Sequence, residues 1–143
     1  MSVLEIVEQN MNDIVGFDVE KEVAYWRDLA FKDLQFAGRL IAYGEEETLY
    51  CFFYFHLALE KALKAHVVKQ TKKLPPKTHN LLVLAEMGEV NLSQEQKDFC
   101  GRINLYNIEG RYPNLSIPSP TLQKARDYFE HTQEILEWLV KQL

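Results

Sequence analysis

At 143 residues and 16.8 kDa the chain has the length of a single domain. Its 47% hydrophobic and 26% charged residues, with only 6 Gly and 5 Pro, exclude the disordered, collagen-like and low-complexity classes. A net charge of −5 excludes a global field for nucleic acid or anionic membrane, so any polyanion site has to be local.

The charge is uneven. Residues 1–60 carry 4 basic and 12 acidic groups, and residues 61–143 carry 12 and 9. The positive share gathers at Lys61, Lys64, Lys69, Lys72, Lys73 and Lys77, a run that reads first as a solvated helix face and loop. Cys51 and Cys100 are too few for a disulfide framework and lack metal-ligand spacing, so both are expected to be reduced in a cytoplasmic protein. Glu5 and Glu8 stand where a signal peptide needs a basic start and an apolar run. The longest apolar stretch, Leu49 to Leu59, is broken by His56 and too short to span a bilayer, so no membrane role is expected.

In chain order, Val3, Ile6, Val7, Met11, Ile14 and Val15 recur at helical spacing and Gly16 follows as a stop, which predicts a short first helix over 1–16. Asp18 caps a second helix, in which Val23, Trp26, Ala30, Leu34, Ala37 and Ile41 form one face up to Gly44. A third opens with Glu45, Glu46 and Glu47, acids that suit a helix N-terminus, and runs to about Gln70. Its Phe52–Phe55 run has no period of its own, but the helix formers downstream, with no turn signal before Pro75-Pro76, make it helical. Thr78 reads as the cap of a short helix from His79 to Met87, closed by Gly88. Ser93 caps a fifth, with Phe99, Ile103, Tyr106 and Gly110 on one stripe. Pro113, Pro118 and Pro120 hold a loop, and a last helix follows with Leu122, Ala125, Phe129, Thr132, Leu136, Leu139 and Leu143 as its seam. The expectation is an all-α fold: one domain over 1–143, in which 18–143 form an up-and-down antiparallel bundle of four main helices with additional short ones.

The sequence lacks the Glu-x-x-His spacing of carboxylate-bridged metal bundles, a phosphate-binding glycine loop and a nucleophile elbow, and no metal or cofactor is expected. His56, Glu60 and Lys64 do fall four residues apart, on a row that advances only about 40° per step. That row reads either as a helix ion pair worth about 0.3–0.5 kcal/mol with a hydrogen-bonded histidine beside it, or as part of a site.

The stretch His56-Leu57-Ala58-Leu59-Glu60-Lys61-Ala62-Leu63-Lys64-Ala65, then Thr78-His79-Asn80-Leu81, then Gly110-Arg111-Tyr112-Pro113, resembles the HEPN family. Trp26-Arg27-Asp28-Leu29-Ala30, with Asp33-Leu34 and Ala37 after it, resembles that family's opening helix, so the likeness covers most of residues 20–140. The resemblance implies a helical bundle, commonly a homodimer, from a nucleotide-binding family often encoded beside a minimal nucleotidyltransferase as in toxin–antitoxin pairs. Some relatives are RNases, whose motif is an Arg followed a few residues later by a His. Arg111 occupies the arginine's place, but Ser116, Ile117 and Pro118 stand where the histidine belongs. The implied protein is therefore a non-catalytic binder of a nucleotide or of RNA phosphate. Carried over by position, Lys64 and Arg111 meet phosphate, His79 hydrogen-bonds, Tyr112 stacks or packs, and Glu60 matches. His56 stands where the family has Gln.

Competing readings stay open at this level. Arg111 reads equally as a neutraliser of Glu60 across helices, and His79 as a first-turn residue; Tyr106 and Tyr112 read as core aromatics. A metal-independent RNase would use Arg111 with His79, or Arg126 with His131, although five residues along a continuous helix rotate that second pair about 140° apart. A structural dimeric assembly partner would use the polar stripe only to fix helix register.

Overall fold

Every element in the computed structural model is helical over the residues it describes, which are 2–8, 16–111 and 118–143, with side chains for all of these except 108–111. Residues 3–8 are helical (α1); the rest of the first predicted helix, to Val15, lies outside the described residues, and Gly16 has φ +64. Asp18 accepts from the Lys21 N–H at 3.2 Å and opens α2, Val19–Tyr43. Gly44 follows at φ +96, where a side chain would be strained.

The acidic triplet departs from expectation: Glu45–Glu47 form a 3₁₀ turn, and α3 begins after it, Thr48–Thr71. Lys72 ends α3 in the left-handed conformation, its N–H donating to the Val68 carbonyl at 2.9 Å. Asn80, not Thr78, caps α4, Leu81–Met87, by accepting from the N–H groups of Leu82 and Val83. Ser93 and Gln96 exchange reciprocal bonds of 3.1 and 2.9 Å, a capping box that opens α5, Gln94–Arg111. Thr121 accepts from the Lys124 N–H and starts α6, Leu122–Lys141.

Side-chain pairings set the helix directions. Ala37 meets Cys51 and Trp26 meets Lys64, so α2 runs antiparallel to α3. Phe129 packs near Phe55, and the Leu139 carbonyl accepts from His66, so α6 runs parallel to α3. Tyr106 stacks on Phe52 at 4.5 Å while Phe99 meets His131 at 5.1 Å, so α5 runs against both. The result is the expected up-and-down bundle, with α3 at its centre touching α2, α4, α5 and α6. Fifteen of its 24 residues are buried, which is why its sequence shows no single apolar stripe. Tyr106 is a core aromatic, 8% exposed and stacked on Phe52, which in turn meets Tyr128. No described helix is long and apolar enough to cross a membrane.

Gly88, the residue that closes α4, packs against α3: a Cβ there would sit 3.0 Å from His66 Cβ and 3.2 Å from the Val67 nitrogen. Gly101, inside α5, has nothing within 4 Å of its would-be Cβ. Gly88→Ala is therefore expected to lower stability by about 1–3 kcal/mol through overpacking against backbone. Gly101→Ala should raise it by about 0.5–1 kcal/mol through helix propensity. Urea unfolding of the two variants reads the opposite signs directly.

Candidate functional site

The polar row of α3 faces inward, because α3 is wrapped by helices on every side. His56, Glu60 and Lys64 are 0%, 4% and 7% exposed. Such groups are kept inside only when their charges and hydrogen bonds are met, and the loop between α3 and α4 supplies a partner. It turns at Pro75-Pro76 and returns His79 to the middle of α3, where Nδ1–H donates to Glu60 Oε1 at 2.8 Å. On the carboxylate's other oxygen, the Lys64 ammonium donates at 3.3 Å while standing 5.4 Å from the Trp26 ring centre. One buried carboxylate thus holds both a lysine and an imidazole.

His56 secures the loop from beneath. Its partner is the His79 carbonyl at 2.8 Å, so Nε2 must carry the proton and donate. Burial holds the His56 ring below the usual histidine range, against the pull of nearby Glu60 and of its hydrogen bonds, so the ring is neutral at pH 7. Its Nδ1 is then a bare acceptor, 3.8 Å from Glu60 Oε1 and without a hydrogen bond. Asn104 of α5 completes the support, accepting from the Leu81 N–H at 3.0 Å and donating to Asn80 at 3.2 Å.

His79 is the exposed member, with 41% of its side chain open. Because Nδ1 is committed to Glu60, its Nε2 is the free ring atom. As a neutral ring it offers a base held in one orientation, and with a second proton it offers a hydrogen-bond donor beside the Lys64 ammonium. Neither thiol competes for chemistry: burial pushes Cys51 and Cys100 up to about 11, and both stay protonated. No group of His, Cys, Asp and Glu among the described residues can hold a metal ion.

His56, Glu60, Lys64 and His79 are therefore brought together. Arg111 ends α5; its side chain, and all of Tyr112, lie outside the described residues. The helix register still fixes a direction: α5 carries Arg111 seven residues, about 10 Å, beyond Asn104, while Lys64 stands eight residues, about 12 Å, beyond His56 the other way. The lysine run divides as well: Lys61 pairs with Asp33, Lys64 is buried, and Lys69, Lys72, Lys73 and Lys77 are exposed. Arg126 and His131 share one unbroken helix, with His131 edge-on to Phe99, and the structure leaves them on diverging faces. Sequence reasoning missed Asn104 and read Trp26 as a core position and part of the family's opening-helix pattern, not as a site residue; the contacts of both run across helices.

The HEPN domain family model matches residues 23–143. The chain belongs to the HEPN family. A HEPN protein of this architecture also resembles TT1696 from Thermus thermophilus, known from a crystal structure, with a TM-score of 0.71 at 21% identity over 85% of this chain and 98% of that one. At that identity the likeness concerns the fold. No curated protein matches the chain. Membership places this HEPN bundle in a family whose function is nucleotide- or RNA-related.

Proposed function

We propose that this HEPN protein is a non-catalytic binder of nucleotide or RNA phosphate, working in the cytoplasm as a single-domain homodimer beside a minimal nucleotidyltransferase, as in toxin–antitoxin pairs. The observation that carries the reading is that Lys64 and His79 both donate to one buried carboxylate, with the imidazole open to the outside. Lysine supplies a point charge for phosphate, and a doubly protonated His79 donates from Nε2. Arg111 and Tyr112 serve a second phosphate and a base. Since α5 carries Arg111 away from Lys64, a ligand touching both is an RNA strand, and a mononucleotide engages the Lys64–His79 end alone.

Calorimetric titration with AMP and with a short single-stranded RNA tests this. Lys64→Met is expected to weaken both ligands by about 10- to 150-fold, the equivalent of about 1.5–3 kcal/mol for a charged hydrogen bond. Arg111→Ala should weaken the RNA by a similar factor and AMP far less. Absence of binding by the wild type, with or without the nucleotidyltransferase, overturns the reading.

One observation favours a second reading. The Glu60–His79 pair at 2.8 Å has the form of a carboxylate that orients a general base, as a metal-independent RNase would need next to a 2′-hydroxyl. RNA cleavage in EDTA that vanishes in His79→Ala would establish it in place of the first.

A further inference from the structure

Trp26 packs along the α2–α3 seam, yet its indole nitrogen is buried and has no hydrogen-bond acceptor. An indole N–H can only donate, and native interiors rarely leave a donor unpaired unless something else comes to meet it. Among the described residues, the other buried side-chain atoms without a hydrogen bond sort themselves by place. Asp33 Oδ2 faces the Lys61 ammonium, Thr132 Oγ1 lies on α6, and His56 Nδ1 stands 3.8 Å from Glu60. Trp26 therefore borders the lysine and His56 the carboxylate of the same Glu60–Lys64 pair.

The Lys64 ammonium is 5.4 Å from the Trp26 ring centre. An indole nitrogen lies on its ring's rim, so the two donors are separated by no more than that distance plus a ring radius. A tetrahedral phosphate accepting bonds of about 2.9 Å on two of its oxygens closes such a gap.

We propose that Trp26 is a ligand-binding residue, its indole N–H donating to one oxygen of a phosphate group whose neighbouring oxygen is held by Lys64. The inference rests on the phosphate-binding reading above and adds to it a neutral donor that sets the orientation of the anion. A donor-only nitrogen next to an ammonium also rejects amines and other cations, which makes the site selective for oxyanions.

The chain has two tryptophans, Trp26 and Trp138, so its amide correlation spectrum contains two indole N–H resonances, and a Trp138→Phe variant assigns the one that remains to Trp26. Titration of the full chain with inorganic pyrophosphate is expected to move the Trp26 indole proton downfield while the Trp138 resonance stays in place. Trp26→Phe, which keeps the aromatic packing, should weaken pyrophosphate 5- to 50-fold with an unchanged thermal melt. Pyrophosphate binding that depends on Lys64 but leaves the Trp26 resonance fixed and survives Trp26→Phe overturns this inference and leaves the phosphate-binding reading standing. No binding of pyrophosphate, AMP or RNA by the wild type overturns both.

Discussion

Glu60→Ala is expected to destabilise the protein by about 3–5 kcal/mol, because it strands a 7%-exposed lysine without its carboxylate. For a chain of this length such a loss lowers the melting temperature by an amount on the order of 10 °C. His79 loses its Nδ1 acceptor in the same step, so the loop that returns it to α3 loosens as well. The magnitude comes from the unpaired ammonium and only secondarily from the pair's own attraction, a distinction that the double variant resolves. Glu60→Gln with Lys64→Met removes both charges, keeps similar volume, and should come back to within about 1–2 kcal/mol of the native protein. Urea unfolding followed by helical circular dichroism measures all three. A loss below about 1 kcal/mol in Glu60→Ala would mean that Lys64 escapes to water, as a surface pair would.

The parts of the fold legible in the sequence are those with a one-sided pattern. α2 and α6 each bury one stripe, Ala30, Leu34 and Ala37 in the first and Ala125, Thr132, Leu136 and Leu139 in the second, and both stripes stand out at helical spacing. α3 is enclosed all round, so its period is blurred and its helicity had to be inferred from its flanks. Capping went astray where two cap formers stand close together. Thr78 and Asn80 suit the position alike, and the choice falls to Asn80 because Asn104, 24 residues away on α5, takes the Leu81 N–H and bonds Asn80 itself. The same division holds at the candidate site. The His56–Glu60–Lys64 row follows from local spacing, whereas the closing of His79 onto Glu60 and the placing of Trp26 against Lys64 depend on how a loop and a neighbouring helix pack. Arg111 shows the limit of spacing most clearly: adjacency in a family pattern says nothing about helix direction, and α5 descends while α3 rises.

Acidification from pH 7.5 to 5.5 should cost this protein stability before its carboxylates begin to titrate, through two buried histidines. In the unfolded chain both titrate near 6.5. In the folded chain burial holds His56 below that value despite Glu60 and the His79 carbonyl, and burial, aided by Lys69, does the same for His66 despite its bond to the Leu139 carbonyl. Between the folded and unfolded values the unfolded chain binds more protons, so stability rises with pH. It is therefore complete above about pH 6.5 and is lost as the pH falls below it, by at most about 1.4 kcal/mol per pH unit for each ring and about 3 kcal/mol for the two. His66→Gln keeps a donor for the Leu139 carbonyl, 2.8 Å from Nε2 in the native chain, and removes the titration, so it should roughly halve the slope of urea midpoints measured at pH 7.5, 6.5 and 5.5. His56 supplies the other half, and its protonation has a local consequence that His66 lacks. A proton on Nδ1 turns a bare acceptor 3.8 Å from Glu60 into a third donor competing for the carboxylate that positions His79 and Lys64. The residual slope in His66→Gln thus reads the site itself, and its absence would show that His56 takes up a proton in place without disturbing the folded state.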